Sequence, residues 1–152
     1  MNLLSRRSSP HRVWIVLPAV LLTISDAALT LLFQPWSYWS GEFATAHEIS
    51  PLGAAFLRIH PLAFGAFILA WASLIVIIAF RLNEPWNRVG VLMIVLGHTA
   101  GVFDWLEDLS YVGALPAFFI AALVTVYCWR RSDAASPASA TIQRRWGAMP
   151  PS

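Results

Sequence analysis

Hydrophobic positions in this chain gather into four long runs, divided by short polar breaks and by one longer connection. The first run, Val13 to Phe33, holds 21 residues. As a helix it extends about 31 Å at about 1.5 Å per residue, the hydrocarbon thickness of a bilayer. Leu62 to Phe80 contains no charged residue and predicts a second span. Val89 to about Leu106 predicts a third, and Leu109 to Trp129 a fourth in which Pro116 is tolerated as a kink. The expected fold class is an all-α integral membrane four-helix bundle, with spans at about 13–33, 62–80, 89–106 and 109–129 in a membrane domain of residues 13–131.

The longer connection, Gln34 to Pro61, carries a pattern of its own. Trp36, Tyr38 and Trp39 suit the headgroup level, where rings with one dry and one wet end settle. Ser50 before Pro51 is a helix-start signal, a capping hydroxyl followed by proline at the first helical position. Leu52, Ala55, Phe56 and Ile59 then recur at i, i+3, i+4 and i+7, with Arg58 off that face. A short interfacial helix in the first extracytoplasmic connection follows. Residues 132–152, rich in Ser, Ala, Pro and Arg without a periodic apolar face, predict a disordered cytoplasmic tail.

Composition agrees with the pattern. The chain is 58% hydrophobic and 12% charged, whereas soluble domains lie nearer about 45–50% apolar, which excludes an ordinary soluble domain. Nine of the ten basic residues fall in the first twelve residues, the Arg81–Arg88 turn or the segment after Trp129, and only Arg58 lies in the opposite connections. The positive-inside rule therefore places the basic N-terminus, residues 1–12, and the C-terminus in the cytoplasm. The net charge of +2 comes from these topology signals, so no nucleic acid partner is expected. Cys128 is the single cysteine, which excludes an internal disulfide and a Cys/His zinc pattern. A cleaved signal peptide ending near Ser25-Asp26-Ala27 is disfavoured because the apolar run continues through Leu29 to Phe33.

Polar residues inside the runs are the candidates for chemistry, because each costs free energy in a spanning helix and needs a partner or a wet cavity. Asp26 shares a helix face with Thr23 and Thr30, and His98 sits near the middle of the third run between Gly97 and Gly101. That small-xxx-small spacing lets a neighbouring backbone approach. Asp104, Glu107 and Asp108 form an acidic rim or, with His47, His60 or His98, a place to capture a cation. His47-Glu48 begins like a zincin HExxH motif, but Pro51 stands where the second histidine belongs. A divalent metal would therefore be held across segments by Asp26, His60 and His98, with Glu48 as general base and Thr30, His47, Asp104 and Asp108 as further polar candidates. Haem ligation has only His98 well inside a span, and Ser50, Ser73 and Ser110 lie in no nucleophile-elbow context.

The order Asp26-x-x-x-Thr30, Glu48-x-x-Pro51, His60-Pro61 and Gly97-His98-Thr99 resembles that of small uncharacterised bacterial four-helix membrane proteins grouped under a domain of unknown function. The resemblance covers about residues 13–129, with Ser50 where those proteins carry asparagine. It implies the four-span architecture and a bacterial host, and α-helical spans imply the inner membrane. Three functional readings remain open. The first is a non-enzymatic assembly or accessory protein whose buried polar residues specify packing. The second is an outward-facing, metal-dependent hydrolase-like site, and the third a proton-coupled carrier. The expected partners are the lipid bilayer and another membrane protein or a second copy of the chain.

Overall fold

A computed structural model describes residues 10–107 and 111–135. They form helices only: α1 (Pro10–Leu32), α2 (Trp36–Trp39), a 3-10 turn at Phe43–Thr45, α3 (Pro51–Ile59), α4 (Pro61–Arg81), α5 (Trp86–Glu107) and α6 (Tyr111–Ala134). Among the described residues three helices, His11–Leu32, Pro61–Arg81 and Trp86–Glu107, are long and apolar enough to cross a membrane. The expected fourth span falls on α6, which is not one of the three. Helix α6 also continues through Ala134, into the segment expected to lack structure; residues 136–152 lie outside the described residues.

α1 is the central element, packed against α4, α5 and α6. Its first half contributes Ile15, Val16 and Ala19 to a core with Ile75 and Ala79 of α4 and Val91 and Val95 of α5. This core lies at the turn end of the molecule, where α1 begins and residues 82–85 join α4 to α5. Arg12 donates to the Phe80 carbonyl there at 2.5 Å. Arg88 pairs with Asp133, and the Trp14 and Tyr127 rings meet edge to face, so α6 ends beside the start of α1. A second core at the connection end joins Ala27, Tyr38, Leu57 and Phe64.

The connection folds back over the helix ends for identifiable reasons. Ser50 Oγ accepts from Gly53 N at 3.2 Å, with Pro51 at the first helical position of α3, as the sequence pattern expects. Where α3 ends, the Leu57 carbonyl lacks a helical donor because position 61 is proline, which has no N–H. The fully buried Tyr38 hydroxyl donates to that carbonyl at 3.2 Å. His60 then starts α4, its Nδ1 accepting from Leu62 N at 3.1 Å. The expected apolar stripe of α3 divides: Phe56 stacks on Phe67 of α4 at 4.7 Å, while Leu52, Ala55 and Ile59 stay exposed. Gly53, Ala54 and Leu57 form its buried face.

Candidate functional site

Above the turn-end core, α4 and α5 no longer fill the space between them. Phe64, Phe67, Ile68 and Trp71 of α4 and Gly97, His98, Gly101 and Asp104 of α5 line a cleft of about 870 Å³. Asp26 and Thr30 of α1, four residues apart on one helix face, also line it. Glu48, Ser50 and Gly53 border it from the connection.

Asp26 Oδ2 lies 2.8 Å from His98 Nδ1. The approach depends on Gly101, where a Cβ would stand 2.7 Å from Asp26 Oδ1 and 2.9 Å from Oδ2. The sequence suggests a neighbouring backbone against the Gly97–Gly101 face; what occupies the Gly101 side is this carboxylate, and at Gly97 a Cβ would meet nothing within 4 Å. On the other edge of the imidazole, Trp71 Nε1 lies 3.4 Å from His98 Nε2. An indole nitrogen can only donate, so Nε2 accepts and Nδ1 carries the proton that is donated to Asp26. The result is an imidazole oriented by a carboxylate at Nδ1, with Nε2 on the edge that points away from it. A carboxylate-oriented imidazole is the arrangement of a general base, with the Trp71 N–H, at 3.4 Å, standing at Nε2 until another proton donor takes its place. Both side chains are about one-fifth open, at 18% and 21% exposure, rather than sealed in the core.

Glu48 stands on a second branch of the network. Its Oε1 accepts from Ser50 N at 2.7 Å, and its Oε2 accepts from the Thr30 hydroxyl at 3.3 Å. Trp105 Nε1 donates to the Thr30 oxygen at 3.1 Å, which leaves the hydroxyl proton for Glu48. Burial pushes the Glu48 carboxyl up from the ordinary range and the Asp26 charge adds to the rise, opposed by the Ser50 and Thr30 hydrogen bonds and by His47. Gly53 lets the side chain lie flat on α3, since a Cβ there would stand 3.0 Å from Glu48 Cγ.

The remaining sequence candidates separate. The His47 backbone is clasped by Gln34, which donates to its carbonyl at 2.7 Å and accepts from its N–H at 2.8 Å, and the His47 ring meets Trp105 at the cleft. Asp104 is exposed at the rim. Thr23 is fully buried and donates to the Ala19 carbonyl, so it faces the core although it shares a face with Asp26 in the sequence. His60 is outside the cleft: it caps α4 and packs against Phe43. Asp26 and His98 are thus together but His60, the third expected ligand, is not with them. Among the described residues no three His, Cys, Asp or Glu side chains come together to hold a metal ion. Asp108 lies outside the described residues.

Three participants escape the sequence reading. Trp105 and Gln34 read as ordinary border residues, and nothing in their spacing names Thr30 or His47 as partners. Trp71 does carry a signal: it stands in the middle of an apolar run, away from the borders where indoles usually anchor. Comparison of the chain with protein-family models, with curated proteins and with solved structures found no match.

Proposed function

We propose that this chain is a bacterial inner-membrane protein of four spans, α1, α4, α5 and α6, with both termini cytoplasmic, α3 lying at the outer interface, and the cleft serving as an outward-facing ligand site in which His98 accepts a proton. The observation that carries the site reading is the Asp26–His98–Trp71 chain, held in a fixed tautomer inside an open cleft. Groups kept only for packing gain nothing from exposure, whereas a general base must be reachable.

The architecture rests on the contacts of α6, which packs on both α1 and α5, meeting α5 at Phe103–Phe118, α1 at Trp14–Tyr127 and α5 again at Arg88–Asp133 near its end. The exposed Leu52 and Ile59 of α3 support an interfacial position. The likeness to the four-helix family of unknown function is part of the same reading, since Asp26, Thr30, Glu48, Gly97 and His98 of its motifs converge on the cleft. The apolar core at the turn end packs α1, α4 and α5 together beyond the cleft, which supports a site open to one side.

A second reading, that the pair ties α1 to α5, is favoured by the fit of the Asp26 carboxylate over Gly101. Nitrogen NMR of histidine-labelled protein in detergent separates the two, with His98→Gln to assign the signal. The site reading expects His98 neutral with its proton on Nδ1, and expects Asp26→Asn to disturb that tautomer while the fold persists. A proton on Nε2 in the wild type rejects it. If the tautomer signal is lost only together with the fold, the packing reading prevails.

A further inference from the structure

The cleft is amphipathic, and its charge is one-sided. Asp26, Glu48 and Asp104 bring three carboxyl groups to it, and no Lys or Arg is among its described lining residues. The rest of its lining is largely apolar, with Phe67 and Ile68 of α4 and Met93 and Ile94 of α5. Its position between two helices matters as much as its lining. α4 and α5 share a core at the turn end through Ile75, Ala79, Val91 and Val95, then part to form the two walls. Trp71, Met93 and Gly97, all exposed, stand along that opening, and beyond the Gly97 Cα there is open space. In a bilayer such an opening faces acyl chains.

We propose that the cleft takes a single-chain amphiphile with a cationic amine head, received from the membrane between α4 and α5. The proposal rests on the ligand-site reading above and names its substrate class. Charge decides the head group. A phosphate or sulfate would meet Asp26, Glu48 and Asp104 with no lysine or arginine among the described lining residues to offset them, and like charges in a partly dry site repel strongly. An ammonium supplies donors to carboxylate oxygens in charge-assisted hydrogen bonds. The exposed Trp71 ring in the lining offers a face that attracts a cation. The apolar lining decides the tail, because a head alone would leave Phe67, Ile68 and Met93 uncovered. A volume of about 870 Å³ is within the range of about 300–1,000 Å³ typical of ligand sites.

The test is native mass spectrometry of the full chain released from neutral detergent, with hexadecylamine, hexadecyl sulfate, hexadecanol or ethylamine added at equal concentration. Wild type is expected to bind one hexadecylamine, with a preference of roughly tenfold or more over hexadecyl sulfate, equivalent to about 1.4 kcal/mol. Glu48→Gln is expected to reduce that preference. Gly97→Leu, whose Cβ would meet nothing within 4 Å, puts an apolar side chain at the opening and is expected to abolish the adduct while melting temperature and helix content hold. If hexadecyl sulfate binds as well as the amine and Gly97→Leu still blocks both, the cationic head group is overturned and the ligand site stands. Equal binding of ethylamine overturns the membrane-borne tail. If no adduct responds to Gly97→Leu, the proposal and the ligand site fall together.

Discussion

The contact between Asp26 and Gly101 shows how much of this site hangs on one missing methyl group. Gly101→Ala would place a Cβ within 3.0 Å of the Asp26 carboxylate. Either α5 or the carboxylate must move, and the carboxylate has the softer path. In a helix interior alanine is favoured over glycine by about 1 kcal/mol, which offsets most of the strain, so stability is expected to change by no more than about 1 kcal/mol. The Asp26–His98 hydrogen bond is what gives way. The expected outcome is a near-unchanged denaturation midpoint with loss of the Nδ1–H signal of His98; a retained tautomer would show that the close approach is incidental. Glu48 offers a second test. Its carboxyl is held above the ordinary range by burial, so the folded protein binds that proton more tightly than the unfolded chain. The stability it contributes is full below the unfolded pKa of about 4.3 and is lost as pH rises through the higher folded value. Unfolding followed from pH 4 upward should show this fall, and Glu48→Gln should remove it. A rise in stability over that window in the wild type alone would refute the assignment. Asp26, His98 and Glu48 are legible in the sequence because ionisable groups in or beside apolar runs stand out. Their pairing is not, since residues 26, 48 and 98 meet only through the packing of three segments.

At the scale of elements, the connection between α1 and α4 does more than join them. It carries Glu48 to the cleft, and its geometry is set by small terminal devices at Ser50, Tyr38 and His60. Tyr38→Phe removes the hydroxyl that donates to the Leu57 carbonyl, in a spot where the ring is fully buried. A buried acceptor left unpaired costs about 1–3 kcal/mol, and thermal unfolding of this variant should fall accordingly. His60 makes a sharper case, because the sequence reading assigns it to a metal and the fold uses it as a cap. His60→Ala is expected to cost about 1 kcal/mol and His60→Asn much less, since asparagine caps helices well. Neither should alter the nitrogen signals of His98. A change at His98 in both variants would return His60 to the site. The Ser50-Pro51 start is legible because capping chemistry is local. The His60 cap is not, because the extended backbone that Pro61 favours at residue 60 gives no sign that the imidazole Nδ1 will accept from the Leu62 N–H.

For the whole molecule, span lengths are legible and mutual arrangement is not. Hydropathy identifies α1, α4 and α5 from composition alone, because each run must be apolar over most of its length to sit in lipid. It says nothing of α1 standing at the centre, or of α4 and α5 parting to leave a cleft. The course of α6 decides the topology. At about 1.5 Å per residue its 24 residues extend about 36 Å, enough to cross the hydrocarbon core. Its end carries Arg130, Arg131 and Asp133, and the Arg88–Asp133 pair brings that end to the α4–α5 turn. If α6 crosses, the number of spans is even, and a reporter fused after Ser152 lies on the same side as one fused before Met1. The expected outcome is fluorescence from green fluorescent protein at both termini and no activity from alkaline phosphatase at either. Phosphatase activity at the C-terminus alone would mean three spans and an α6 lying at the outer surface. The Arg88–Asp133 pair would then be absent in the membrane. Exchanging the two charges, Arg88→Asp with Asp133→Arg, distinguishes these cases again. It should preserve the stability that either single change reduces if the ends of α5 and α6 meet as the structure has them, and should restore nothing if they do not.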